Sequence, residues 1–168
     1  MRESIMIAVL AISVSACAFK APSAEAVLKP TRGNTASGTL NFEQQGGSVF
    51  IKGQFAGLTP GAHGFSIHAK GDCTAADASS AGGHFNPFGK RHGSPSMPNH
   101  HAGDLPMLVA GTNGKAQFQA LMDGISLEGG PNGILGRSVI IHAKPDDFTT
   151  QPGGNSGPNV ACGVIQAR

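Results

Sequence analysis

Histidines supply most of the metal-binding capacity of this 168-residue chain, and six of the seven fall between positions 63 and 104. The neutral imidazole is the commonest metal ligand among side chains. Asp104 follows His101 after two residues and adds a carboxylate to the cluster. Three imidazoles with one carboxylate suit a tetrahedral zinc ion, which accepts nitrogen and oxygen donors. The predicted zinc ligands are His84, His92, His101 and Asp104.

The stretch that carries these donors, 70–105, has no regular hydrophobic pattern and is rich in Gly, Pro, Ser, Asn and Asp. A second stretch of the same kind covers 143–159. Loops of this length are uncommon in compact domains unless they carry a function or are disordered. The histidines in the first stretch therefore predict two long functional loops.

Short segments outside these loops alternate apolar and polar residues, which is the pattern of half-buried β-strands. Helix-length amphipathic segments are absent from the sequence, and Asn113-Gly114 is a strong hairpin signal. The pattern predicts one all-β domain, a sandwich or barrel. The predicted strands are 39–42, 49–55, 64–68, 108–110, 116–121, 139–142 and 163–165.

An apolar run at 5–16 follows Arg2 near the N-terminus. At about a dozen residues it is shorter than the ~20 that a bilayer-spanning helix needs. A charged residue before a short apolar run is typical of a secretory signal. The sequence therefore predicts export.

Two processing sites follow this run. The tetrapeptide that ends at Cys17 resembles a bacterial lipobox, and the small-x-small tripeptide that ends at Ala26 fits ordinary signal peptidase. We favour cleavage before Cys17 with lipid attachment to its side chain. The predicted organisation is a signal and linker over 1–26 and a folded domain over 27–168. The predicted location is the periplasm, with an anchor in the outer membrane.

Export also determines how the remaining cysteines are interpreted. With Cys17 set aside, the chain has one pair, Cys73 and Cys162. An even number of cysteines in an oxidising compartment indicates a disulfide. We therefore expect a bond that joins the middle of the chain to its end.

The charge of the chain excludes some partners. Twelve basic and ten acidic residues give a net charge of +2, and no long run of either sign occurs. Nothing in this distribution indicates a nucleic-acid surface or a polybasic membrane patch. We expect a small-molecule partner or none, and contact with a membrane only through the lipid.

Seven short motifs, taken in order, resemble signatures of the Cu,Zn superoxide dismutases, particularly of the bacterial periplasmic branch. The resemblance covers approximately 27–168 and implies an eight-stranded Greek-key β-barrel, an immunoglobulin-like sandwich with two long functional loops. The motifs are HGFSIH at 63–68, GDC at 71–73, GGHFNP at 82–87, HG at 92–93, HAGDL at 101–105, VIIH at 139–142 and ACGVI at 161–165.

The resemblance also implies a second metal, copper, beside the zinc. It makes His84 the imidazole shared by both metals, and His68 and His142 further copper ligands. Ser66 stands where the family has another copper-binding histidine, so copper keeps three imidazoles at most. We therefore expect zinc as the cofactor, with copper weakly bound or substoichiometric.

Four more positions take their interpretation from the resemblance. Asp146 matches an aspartate that links a zinc histidine to a copper histidine. Asn159 stands at the position of the family's arginine, which attracts and orients superoxide, so no catalytic residue is certain. His63 is expected to be structural, and His100 has no assigned role.

These residues lead to one favoured function and two alternatives. We favour a superoxide dismutase-like metal-binding protein with an intact zinc site, an incomplete copper site and weak or absent dismutase activity. The first alternative is a working dismutase that converts superoxide to oxygen and hydrogen peroxide with three copper-binding histidines. The second is a copper-handling protein that holds Cu(I) without redox turnover.

Overall fold

Nine strands form the fold in the computed structural model, which describes residues 20–168. The predicted signal and Cys17 lie outside the described residues. One short 3-10 helix, Ser79–Ala81, follows the fifth strand, and no described helix is long and apolar enough to cross a membrane. The strands are β1 (Ser23–Pro30), β2 (Ser37–Gln45), β3 (Ser48–Ala56), β4 (Gly61–His63), β5 (Phe65–His68), β6 (Leu108–Ala110), β7 (Ala116–Met122), β8 (Ser138–His142) and β9 (Asn159–Ala167).

The strands curl into a barrel. Seven of them form one antiparallel sheet in the order β5-β8-β9-β1-β2-β3-β7, and β4 pairs with β6. Gly64 alone separates β4 from β5, and a hairpin turn at 111–115 joins β6 to β7. These two links connect the small sheet to both ends of the large one. The predicted all-β Greek-key barrel is confirmed. It has eight strands if β4 and β5 are counted as one interrupted strand.

Alternating side chains fill the barrel with apolar residues. In β3, for example, Val49 and Ile51 are fully buried. Phe65 packs edge to face on Phe55 and Phe118, with ring centroids 5.6 and 4.9 Å apart. Such pairs contribute about 0.5–1.5 kcal/mol beyond the burial of their area. The interior therefore stabilises the barrel, and the predicted metal ligands lie outside it.

The first strand starts earlier than the sequence predicted. Residues 23–26, assigned to the signal and linker, form the first half of β1, which lies between β2 and β9. Ala24 and Ala26 face the core with Leu28, and each is at most 1% exposed. Alternating alanines can belong to a buried strand face or to a small-x-small processing site, and the pairing with both neighbouring strands shows the former. The folded domain thus includes Ser23.

Two long connections leave the strands, as predicted. We call 69–107, between β5 and β6, the first loop, and 143–158, between β8 and β9, the second loop. The predicted disulfide between Cys73 and Cys162 is present and attaches the first loop to β9. Around it lie Ala78, Ala81 and Ile140, which form a small apolar cluster outside the main core. The first loop is therefore held on the outer face of the barrel.

We expect loss of this disulfide to destabilise the domain. The two cysteines are 89 residues apart in sequence, and closure of a loop of this size in the unfolded chain corresponds to about 4–5 kcal/mol in the chain-entropy model. The Cys73→Ser/Cys162→Ser variant should therefore have a free energy of unfolding lower by up to that amount, measured by urea denaturation. Cys17→Ser is the control and should unfold like the parent chain. Equal stability of the double variant and the parent would contradict the prediction.

Candidate metal centre

The predicted metal ligands on the barrel lie on the outside of β5 and β8. Phe65 and Ile67 point into the core, so Ser66 and His68 point outward because successive side chains of a strand alternate. Despite this, Ser66 is only 1% exposed and His68 only 4%. The first loop covers them. Its backbone pairs with the free edge of β5, where the Ile67 N–H donates to the Gly103 carbonyl and the Phe85 N–H donates to the Ile67 carbonyl, both at 2.8 Å.

The four predicted zinc donors come together around one carboxylate oxygen. Asp104 Oδ1 lies 2.7 Å from Nδ1 of His84, 3.0 Å from that of His92 and 3.4 Å from that of His101. Ligands bound at 2.0–2.1 Å to a tetrahedral zinc are about 3.3 Å apart. The donor atoms lie within 4.8 Å of one another, close enough to reach one ion, and all four lie within the first loop.

The electrostatics of the first donor group also favour a bound cation. Burial raises the pKa of Asp104. Its hydrogen bond to His84 and the charge of that imidazole lower the pKa by more, so the net shift is downward. Its second oxygen accepts the N–H groups of Gly93 and His101, at 3.1 and 2.8 Å. Nδ1 of His101 is buried without a hydrogen-bond partner. An unpaired buried nitrogen costs about 1–3 kcal/mol, which a metal ion at this position would remove.

Asp146 of the second loop holds His92, one of the predicted zinc donors, by the ring nitrogen that does not face Asp104. Nε2 of His92 lies 2.9 Å from Asp146 Oδ1, which also accepts the Phe148 N–H. Burial lowers the pKa of His92, but the hydrogen bond to Asp146 and the nearby carboxylates outweigh it, and the net shift is upward. The side chain of Gln151 accepts from the N–H of His92 and donates to its carbonyl, each at 2.9 Å. Sequence reasoning missed Phe148 and Gln151, because nothing in their spacing links them to His92.

A second group of donors lies beside the first. His68, His84 and His142 offer ring nitrogens within 4.8 Å of one another. Since Nδ1 of His84 faces Asp104, its Nε2 is the atom left for this group. Ser66 Oγ lies between the other two rings, 3.1 Å from Nε2 of His68 and 3.2 Å from Nε2 of His142.

The imidazoles of the second group are held neutral. Burial, with a contribution from neighbouring His84, lowers the pKa of His68 to about 3 and that of His142 to about 4. The Nδ1–H of His68 donates to the Gly82 carbonyl at 2.6 Å, so its Nε2 carries a lone pair. Neutral imidazoles with oriented lone pairs are the form that binds a metal.

Asp146 makes only part of the link that the resemblance implies. Within 20–168 its side chain is bonded to His92 and to the Phe148 N–H, and no hydrogen bond joins it to the second group. The resemblance implies that the other half of this link is a copper-binding histidine. The side chain of Ser66 bonds to His68 and His142.

The three remaining predicted positions have other contacts. The Asn159 side chain donates to the Asp77 carbonyl at 3.0 Å and so connects β9 to the first loop. His63 is buried, with its ring nitrogens 2.8 Å from the carbonyls of His142 and Thr59. Nδ1 of His100 donates to the His101 carbonyl at 2.6 Å. None of these three belongs to either donor group among the described residues.

Comparison with known proteins agrees with the fold and the donor groups. The model of the copper/zinc superoxide dismutase (SODC) family matches residues 36–165. An extracellular superoxide dismutase (Cu-Zn) from Brugia pahangi is 41% identical over 165 residues, 93% of this chain and 81% of that protein. Superoxide dismutase (Cu-Zn) 2 from Brassica juncea is 45% identical over 150 residues, 83% of this chain and 94% of that protein.

A solved structure shares the fold. The crystal structure of the clock protein EA4 matches with a TM-score of 0.79 and 43% identity, over 88% of this chain and 96% of that one. The fold and the paired donor groups define a metal-binding β-barrel. The chain belongs to the copper/zinc superoxide dismutase family.

We expect the metal-free protein to lose stability as the pH falls from 7 toward 4. The folded pKa values of His68 and His142, about 3 and 4, lie below the ordinary value of 6.5. The unfolded chain therefore takes up these protons first, and each group lowers the free energy of unfolding by up to about 1.4 kcal/mol per pH unit in this window. Burial also lowers the pKa of His101, which acts in the same direction, whereas the raised pKa of His92 acts in the opposite direction, so one group opposes three.

Thermal melts of chelator-treated protein at pH 7.5, 6.0 and 5.0 test this expectation. The melting temperature should fall across the series. In the His68→Gln variant it should fall less steeply, because one of the groups with a lowered pKa is gone. A melting temperature that is constant or rises toward pH 5 would contradict the prediction.

Proposed function

We propose that this protein is an exported, zinc-binding member of the superoxide dismutase family whose copper site is incomplete and whose dismutase activity is weak or absent. One observation carries the proposal. Ser66 lies between His68 and His142, where the family resemblance implies another copper-binding imidazole. With His84, only three imidazoles are available to copper.

The chemistry of the two metals explains why this position matters. Copper, when bound, would supply the one-electron steps that convert superoxide to oxygen and hydrogen peroxide, whereas zinc is redox-inert and cannot. Loss of a group that only supports a metal ligand typically reduces affinity or activity by about 10–100-fold. Loss of a ligand should have at least that effect.

The approach of an anion is weakened as well. Asn159 is neutral, and its side chain is bonded to the Asp77 carbonyl on the first loop. Electrostatic steering raises association rates by about 10–1000-fold. Without the family's arginine, even a copper-loaded protein would attract superoxide less strongly.

The zinc donors have a structural role in this proposal. His84, His92 and His101 lie at three separate points of the first loop. A single ion bound to them and to Asp104 would hold those points together, and His92 would connect the ion to the second loop. Zinc would then stabilise the loops irrespective of any turnover.

We also propose that the protein is periplasmic and anchored by a lipid on Cys17. The disulfide and the extracellular relative support export. Cleavage after Ala26 would remove half of β1, including two buried alanines that pair with β2 and β9. Cleavage before Cys17 would leave that strand whole, which supports the lipobox as the processing site.

A working dismutase is the second candidate. The named relatives are superoxide dismutases, and three imidazoles of the second group remain within reach of one ion. Three nitrogen donors could still bind copper in this candidate. A superoxide assay on copper-loaded protein separates the two.

We expect purified protein to contain about one tightly bound zinc per chain and much less copper than zinc. Because metal binding stabilises the folded state, a chelator should lower the melting temperature of the protein. In Asp104→Asn, which loses the carboxylate shared by the zinc donors, the chelator should have a much smaller effect. Elemental analysis and thermal melts with and without chelator measure both. Identical melting of the untreated and chelated parent would contradict the prediction.

Restoring histidine at position 66 should raise copper affinity and dismutase activity by at least about 10-fold, because it returns a fourth imidazole to the site. The family resemblance implies that Asp146, which is bonded to His92, would support the new ring. Copper titration and a superoxide assay on Ser66→His measure the change.

Asn159→Arg is the matched control, because it restores only the cation. It should raise activity less than Ser66→His, since attraction of an anion to an incomplete copper site does not create redox turnover. The double variant should exceed either change alone. Rapid dismutation by the copper-loaded parent, with no gain from Ser66→His, would favour the second candidate instead.

A further inference from the structure

We propose that the second donor group is itself a zinc site and that Ser66 Oγ is its fourth ligand. The protein would then hold two zinc ions that share His84, with no open position for substrate on the second. This inference rests on the proposed function, in which the group does not serve copper turnover. The inference goes beyond the proposed function because it makes Ser66 a metal ligand, whereas the resemblance implies only that a ligand has been lost.

The spacing of Ser66 carries the inference. Its Oγ is 3.1 Å from one imidazole nitrogen and 3.2 Å from another, close to the separation of about 3.3 Å between ligands of a tetrahedral zinc. The zinc donors of the first group show the same spacing, 2.7–3.4 Å from Asp104 Oδ1. A hydroxyl that merely filled the space of a lost ring would not need to lie at ligand distance from two donors.

The position of Ser66 is fixed by the barrel. Ser66 lies in the middle of β5, opposite Ile140 of β8, and on its other side it forms a bridge with Asp104. It is buried, and the two histidine nitrogens are the hydrogen-bond partners of its side chain. Donors on paired strands are held more precisely than donors on loops. The hydroxyl is therefore oriented toward the second group.

The hydrogen bonds of Ser66 show which atoms face the centre of the second group. Since Nδ1–H of His68 donates to the Gly82 carbonyl, its Nε2 accepts the Ser66 hydroxyl proton. Nε2 of His142 lies 3.2 Å from the same serine oxygen. The Gly82 carbonyl is the kind of partner that commonly orients a metal-binding imidazole. A zinc ion at the centre would replace the hydrogen bonds of Ser66 with metal bonds to the same atoms.

Three nitrogen donors, two of them 3.1 and 3.2 Å from the Ser66 hydroxyl, suit a tetrahedral zinc ion. Copper(II) binds nitrogen and oxygen donors more tightly in general but prefers a tetragonal arrangement. Zinc has no geometric preference from its d-electrons and is commonly tetrahedral in closed structural sites. The arrangement of the second group therefore suits zinc whenever zinc is the metal supplied.

Zinc titration of chelator-stripped protein against a competing chromophoric chelator tests the stoichiometry. We expect two zinc ions per chain, the second weaker than the first. In Ser66→Ala the second affinity should fall by at least about 10-fold while the first is unchanged. Ser138→Ala is the matched control, since Ser138 is another fully buried serine whose hydroxyl donates to the Lys70 carbonyl, and it should keep both sites.

Cobalt(II) reports directly on the ligand. In Ser66→Cys, a thiolate at this position should give a sulfur-to-cobalt charge-transfer band when the second equivalent binds, a band absent from the parent and from Ser66→Ala. Circular dichroism confirms that each variant is folded. Binding of a single zinc by the parent would overturn the inference. So would two zinc ions with unchanged affinity in Ser66→Ala and no charge-transfer band in Ser66→Cys.

The failure of this inference and the failure of the proposed function are distinguishable. Rapid superoxide turnover by the copper-loaded parent would overturn the proposed function and, with it, the non-catalytic role assigned to the second group. Slow turnover together with a single zinc site would overturn only the inference.

Discussion

The attachment of the first loop to β5 and β9 is the constraint on which the rest of the structure depends. The ligands on the barrel point outward, and a bare strand would leave them in water. Backbone hydrogen bonds to the edge of β5, together with the Cys73–Cys162 disulfide, place the loop over them. The resulting burial holds His68 and His142 neutral, as metal binding requires. The packing of the first loop on the barrel therefore also keeps these imidazoles in the form that binds a metal.

The two donor groups are coupled mainly through His84. Its Nδ1 faces the first group and its Nε2 the second, so the orientation of one ring serves both. The second connection that the family resemblance implies, through Asp146, is only half made, because its hydrogen bonds reach His92 but not the second group. Within 20–168, His84 is the one side chain that offers a ring nitrogen to both donor groups.

Much of this arrangement could be predicted from the sequence, because it depends on residue type and spacing. Asp104 and three histidines lie on one loop, and the structure brings their donor atoms within 4.8 Å of one another. The start of β1 was missed because alternating alanines fit both a strand and a processing site. Gln151 was missed because its contact with His92 joins residues 59 apart and exists only when the loops pack. For Ser66 the sequence indicated a lost ligand, and only the coordinates showed how close its hydroxyl lies to two imidazoles.

The outward position of Ser66 has a consequence for evolution. Its neighbours Phe65 and Ile67 belong to the core, and a substitution there would disturb the barrel directly. Position 66 faces the loop, so exchanging one donor type for another leaves that packing untouched. A change of donor at position 66 can therefore alter which metal is preferred while the barrel core stays the same. Selection for a stable barrel and selection for a particular metal act on opposite faces of the same strand.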